Sequence, residues 1–161
     1  MAKRRIRVGD VFQIPLSDGR FAYGQYVYRD QKHGPIIRVF DFISEEEMEF
    51  ERIREQLAQA KLLFPPVITG VFAAVRTGMW KVIGNMPVND FEYPNFLNVF
   101  DENFQPISDW FLVTKDKTIR LGKRLPQMYK NLELLVVWSP HDIVHRIETG
   151  ENPYEEMIKN G

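Results

Sequence analysis

The chain has no cysteine among its 161 residues. That absence excludes disulfide staples, thiol nucleophiles and cysteine-ligated metals together, and it accords with a reducing cytoplasm. Net charge is nearly absent too. The 21 basic and 22 acidic residues leave a formal −1, so the molecule as a whole does not steer toward nucleic acid or acidic membranes. No apolar run approaches the length of a membrane span. The basic cluster Lys3, Arg4, Arg5 and Arg7 opens like a secretory leader, but Val8-Gly9-Asp10 stands where a leader's apolar core belongs. The expectation is a soluble cytoplasmic protein. There is no phosphate-cradling glycine loop, no G-x-S-x-G turn, no internal repeat and no linker.

What is present suits a packed globule: 44% hydrophobic and 13% aromatic residues. A chain of this length buries roughly 70% of its unfolded surface without staples, and one domain, 1–161, is expected. The central stretch Arg76-Thr77-Gly78-Met79-Trp80-Lys81-Val82-Ile83-Gly84-Asn85-Met86-Pro87 reads as a glycine turn leading into a short strand. That strand carries Trp80 and Val82 into a core, Gly84-Asn85 ends it, and Pro87 blocks further pairing.

Before it, 11–16 alternates, with Phe12, Ile14 and Leu16 on one face and Gln13 and Pro15 on the other. Pro15 puts this strand at a sheet edge or marks its end. Ser17-Asp18-Gly19-Arg20 is a hairpin turn, 21–28 the return strand, and 36–42 a third strand. Gly24 marks a bulge or a close backbone approach. A helix is predicted from Ser44, with Glu47 completing a capping box and Ile43 and Met48 forming a hydrophobic staple. Phe50, Ile53, Leu57 and Ala60 form its apolar stripe, and it ends before Phe64-Pro65-Pro66.

Further on, 67–75 reads as a strand making a second hairpin with the Trp80 strand. A short strand follows over 96–100, then a third hairpin from 110–113 and 118–121 around Lys115-Asp116-Lys117. The apolar run 132–138 suits one buried strand, with helix as the alternative. Ser139 as cap, Pro140 at the first helical position, and Gly150 past the end mark a helix in the tail. Asn152-Pro153 starts a short final one. The order predicts an α+β domain: a curved antiparallel sheet or partly open β-barrel with one inserted helix and a helical C-terminal tail.

Candidate chemistry is sparse. His141 and His145 are spaced as in the zincin helix, but Asp142 stands where that motif needs glutamate, and a surface helix whose histidines face solvent or cap nearby carbonyls is the better account of them. Ser17, Ser44, Ser108 and Ser139 all have turn or cap explanations, as do Asp10 and Asp41 near strand ends. Phe21, Tyr23, Tyr26 and Tyr28 on one hairpin, beside the basic 3–7 segment, could form a stacking platform for single-stranded nucleic acid; strand aromatics are also ordinary core residues. Glu45, Glu46, Glu47, Glu49 and Glu51 form an acidic face that would steer a basic partner, or a solvated helix surface placed to suit the helix dipole. No catalytic residue, metal site or cofactor is expected from these patterns.

Several stretches, taken in order, resemble the immunity protein 26 family of bacterial polymorphic toxin systems. They are Val8-Gly9-Asp10-Val11-Phe12-Gln13-Ile14-Pro15-Leu16, Asp18-Gly19-Arg20-Phe21-Ala22-Tyr23-Gly24, Val39-Phe40-Asp41-Phe42-Ile43-Ser44, Phe64-Pro65-Pro66-Val67-Ile68-Thr69-Gly70 and Trp80-Lys81-Val82-Ile83-Gly84-Asn85. The tail over 141–150, followed by Pro153-Tyr154, completes the set. The resemblance implies a small cytoplasmic inhibitor without catalysis of its own, whose partner is a cognate toxin domain. With basic toxin domains in view, it makes Glu46 and Glu49 the first candidate contacts, supported by exposed aromatics at Tyr23, Tyr26 and Tyr28. The competing readings are a nucleic-acid or small-ligand binding barrel and, behind it, a metal-dependent hydrolase.

Overall fold

A computed structural model describes residues 5–161; Lys3 and Arg4 of the basic cluster lie outside them. In chain order the elements are β1 (Asp10–Pro15), β2 (Phe21–Asp30), β3 (Gly34–Val39), α1 (Phe50–Gln59), β4 (Val67–Thr69), α2 (Val71–Arg76) and β5 (Lys81–Asn85). There follow β6 (Phe96–Phe100), β7 (Pro106–Val113), β8 (Thr118–Gly122), β9 (Glu133–Leu134), β10 (Val137–Trp138), α3 (Pro140–Thr149) and α4 (Glu155–Lys159). The class is the α+β one expected, built on two open sheets with no closed barrel among the described residues.

The chain forms two compact units. The first comprises Met1–Phe91 with Val137–Gly150, and the second Glu92–Val136 with Glu151–Gly161. The first holds a six-stranded sheet in the order β10-β4-β3-β2-β1-β5. Its β1–β2 hairpin turns where the sequence predicts. Gly19 takes φ +88°, and Leu16 and Arg20 close the turn through a 2.8 Å backbone bond. Pro15 is the last residue of β1, which lies between β2 and β5 rather than at an edge. Gly24 is a close approach: a Cβ there would stand 2.6 Å from the Phe12 ring on the paired strand.

Strand alternation gives this sheet two apolar faces. One carries Val11, Tyr23 and Phe40, on which Phe50, Ile53 and Leu57 of α1 pack with Met86. Burying each of those three helical side chains stabilises the unit by roughly 1.5–3 kcal/mol. On the other face Phe12 lies flat on Trp80, ring centroids 5.2 Å apart, and Tyr26 meets Phe72 of α2 edge-on at 5.6 Å. α3 is capped as predicted. Ser139 accepts from the Asp142 N–H at 3.1 Å, and Gly150 closes the helix at φ +75°. Its Arg146 guanidinium lies 4.2 Å from the Phe64 ring centre and 5.0 Å from that of Trp138.

Three expectations are corrected. The predicted strand over 67–75 is a three-residue strand followed at once by α2. Gly70 breaks it after Thr69, whose hydroxyl donates to the Trp138 carbonyl, and Ala73-Ala74 favours helix beyond. No hairpin joins this segment to the Trp80 strand: β4 pairs with β3 and β10, and β5 pairs with β1. The apolar run 132–138 is likewise not one strand. Glu133–Leu134 pairs with β6, while Val137–Trp138 pairs with β4.

The second unit is a four-stranded sheet, β8-β7-β6-β9, with α4. Its β7–β8 hairpin turns around Lys115-Asp116-Lys117 as predicted, where the Thr114 N–H bonds the Lys117 carbonyl at 2.8 Å. Phe96, Leu97, Leu112, Leu134 and Ile158 are buried, and Gly161 seats against the Trp110 ring.

Candidate partner-binding face

The acidic segment runs between β3 and α1 in the first unit, and distant residues fix its path. Ser44 and Phe21 exchange two backbone hydrogen bonds of 2.9 Å in an isolated antiparallel bridge. The Ser44 hydroxyl donates to the Glu46 carbonyl at 2.7 Å. With its one proton so committed, it accepts from the Tyr23 hydroxyl 2.8 Å away. A buried tyrosine thus holds the turn that presents Glu46.

Ser44 therefore does not cap a helix, and the expectation of a helix from that residue is corrected. Its backbone belongs to a strand-like bridge and its hydroxyl to the Tyr23–Glu46 chain. α1 begins at Phe50, with Glu49 as N-cap and no side-chain cap bond. Glu47, the expected box partner, instead accepts from Gln13 Nε2 at 3.1 Å.

Glu45, Glu46, Glu47, Glu49 and Glu51 are all exposed. Among the described residues none of them makes an ion pair. Facing them is β5, the end strand of its sheet. A Cβ on Gly84 would lie 2.3 Å from the Phe50 ring, so the first helical side chain rests directly on the β5 backbone. Between segment and strand runs an open groove of about 640 Å³, lined by Gln13, by residues 47–51 and by all five residues of β5.

Of the contacts expected from the sequence, Glu46 and Glu49 stand on this exposed segment, and Glu49 lines the groove. The expectation of exposed aromatics is corrected for two of three. Tyr23 is 0% exposed and Tyr26 is 2% exposed, because alternate β2 side chains face α1 and α2 in turn. Burial raises the Tyr26 phenol above its ordinary pKa, with Arg29 pulling weakly the other way. Tyr28 is half-buried beside Phe91. It lies seven residues along β2 from the Phe21 bridge, about 23 Å at the usual strand rise, so the fold does not bring it to the glutamates.

The other candidates keep their structural roles. His141 and His145 lie exposed on α3. Glu148, a conceivable third ligand, accepts the Ser17 N–H at 2.7 Å, and no metal-holding group of three is found among the described residues. Asp10 is buried and accepts from the Arg7 N–H at 2.9 Å and Asn85 Nδ2 at 3.0 Å. The sequence reading missed Gln13 and the groove. Its one signal was Gln13 breaking an apolar run. Gly84, read as a strand terminator, lies inside β5 because Phe50 needs the space.

Among comparisons with known proteins, neither curated proteins nor solved structures give a match. The family model described as Immunity protein 26 matches residues 7–104. That match takes in β1 to β5, α1 and α2, the acidic segment and the groove beside it. Since it covers more than half of the chain, this protein belongs to the immunity protein 26 family.

Proposed function

We propose that the chain is a non-enzymatic immunity protein of a bacterial polymorphic toxin system. It acts in the cytoplasm, binds a cognate toxin domain and occludes that domain's active site or exosite, with 1–161 serving as one immunity-protein unit. Family membership supports the class. The observation that carries the surface is the run of exposed carboxylates from Glu45 to Glu51, which make no ion pair among the described residues, on a backbone pinned by Phe21 and by Tyr23 through Ser44, with the Glu47 side chain bonded to Gln13.

A fixed acidic face raises the encounter rate with a basic partner more than the final affinity. Affinity then comes from apolar groups at the centre of an interface of about 1,600 Å² in total. Met48 and Ile83, both partly buried in the groove wall, are placed for that role. We assign Glu46 and Glu49 to direct contact. Tyr23 acts beneath the face through Ser44, and Tyr26 and Tyr28 take no part in it. The reading as a nucleic-acid platform is weakened by the burial of Tyr23 and Tyr26, which leaves no row of stacking rings on β2.

The test is co-expression with the C-terminal domain of a polymorphic toxin whose gene is found adjoining the gene for this chain. Growth is expected to be restored, and the two proteins are expected to co-purify. A chain that neither captures nor inhibits that domain, or one that turns over a substrate by itself, overturns the proposal.

A further inference from the structure

The groove adds something that the acidic face does not. Among the described residues, β5 is hydrogen-bonded on one side only, to β1. Alternate N–H and C=O groups of a strand point to opposite sides, so an end strand offers its outward row to another chain. The opposite end of the same sheet is β10, which has two residues, whereas β5 has five. All five line the groove, and the glutamate segment forms its facing wall.

We infer that β5 is the docking strand: an extended, basic segment of the toxin domain adds to its open edge and lies in the groove below residues 47–51. This rests on the functional reading above and specifies how the partner is recognised. Main-chain bonds to the edge give such a contact its affinity, and flanking side chains give it selectivity. Here the flanking wall is Glu47, Glu49 and Glu51, with Lys81 at one end. The wall is net acidic and favours lysine or arginine at alternate positions of the incoming strand.

A second copy of this chain is a poorer occupant, because it would set its own glutamates against these.

The experiment is hydrogen exchange on the full chain, free and bound to the catalytically inactivated toxin domain. The expected result is slowing of amides in Lys81–Asn85 by about tenfold or more, with the central strand β2 unchanged. A stable complex in which those amides exchange at the free rate overturns the edge inference and leaves the inhibitor reading intact. If no complex forms, the inhibitor reading fails, and the edge is judged with a second probe, a capped peptide of alternating lysine and valine at millimolar concentration. NMR shifts confined to Lys81–Asn85 and the 47–51 wall, lost when alternate peptide amides are N-methylated, sustain the inference; their absence overturns it. Protection of these amides through dimerisation of the free chain also overturns it, because the occupant is then a second copy.

Discussion

The Phe50 ring rests on the backbone of Gly84, close enough that a β-carbon there would stand 2.3 Å from it. The start of α1 is thereby locked to the fourth of the five residues of an end strand, and the acidic segment before the helix is held at a fixed height over β5. Gly84→Ala forces the ring aside near its base, where rotation relieves little. The expected loss is about 1–3 kcal/mol of stability, read from the urea midpoint, together with weaker toxin capture. An unchanged midpoint would show that the ring is not held there.

Glu46→Lys with Glu49→Lys changes charge on exposed side chains, at a cost of about 0.3–1 kcal/mol of stability where Glu49 stands at the N-terminus of α1. Binding to the toxin domain is expected to weaken about tenfold or more at low ionic strength, chiefly in the association rate. The dependence of binding on salt should flatten in step. Equal affinity and an equal salt slope would remove this segment from the interface.

Tyr23 and Ser44 form a relay to the Glu46 carbonyl, so their substitutions are not independent. Tyr23→Phe and Ser44→Ala are each expected to cost about 1 kcal/mol, and the double variant less than their sum. Strict additivity in denaturation would mean that the two hydroxyls do not act on one another.

Ser139, unlike Ser44, caps a helix. Ser139→Ala leaves the Asp142 N–H without its partner and is expected to cost about 1 kcal/mol. The same substitution at Ser44 should leave the helical circular dichroism of α1 unchanged, since that helix starts at Phe50. Loss of helix signal on Ser44→Ala would restore the capping role that the fold denies it.

Burial lifts the Tyr26 phenol above its ordinary pKa of 10.0. The folded state therefore holds this proton more tightly than the unfolded state. The stability it contributes is fully present below the unfolded-state value and is lost as pH rises through the folded-state value. Tyr26→Phe should remove that part of the alkaline loss. The check is the unfolding midpoint measured across the alkaline range, and an identical fall in both proteins would refute the assignment.

Elements whose signals lie within a few residues were legible. Asp18-Gly19 specifies its turn through a positive φ, and Ser139-Pro140 with Gly150 specifies both ends of α3 by capping. Glu46 and Glu49 were legible as charge, because carboxylates without a partner belong at a surface. Tyr23 and Tyr26 were not legible as core, since an aromatic strand reads the same whether one face or both are covered.

The sequence alone determined the turns at 17–20 and 115–117, the capped tail helix, the α+β class and the acidity of 45–51, all consequences of local backbone chemistry and side-chain type. Tertiary structure decided which strand became the open end of the sheet, that Ser44 bonds to Phe21 and Tyr23 rather than to its own helix, and that 132–138 divides between two sheets. Backbone donors and acceptors are alike at every residue. Only the folded arrangement of distant segments decides which of them meet and which are left facing solvent.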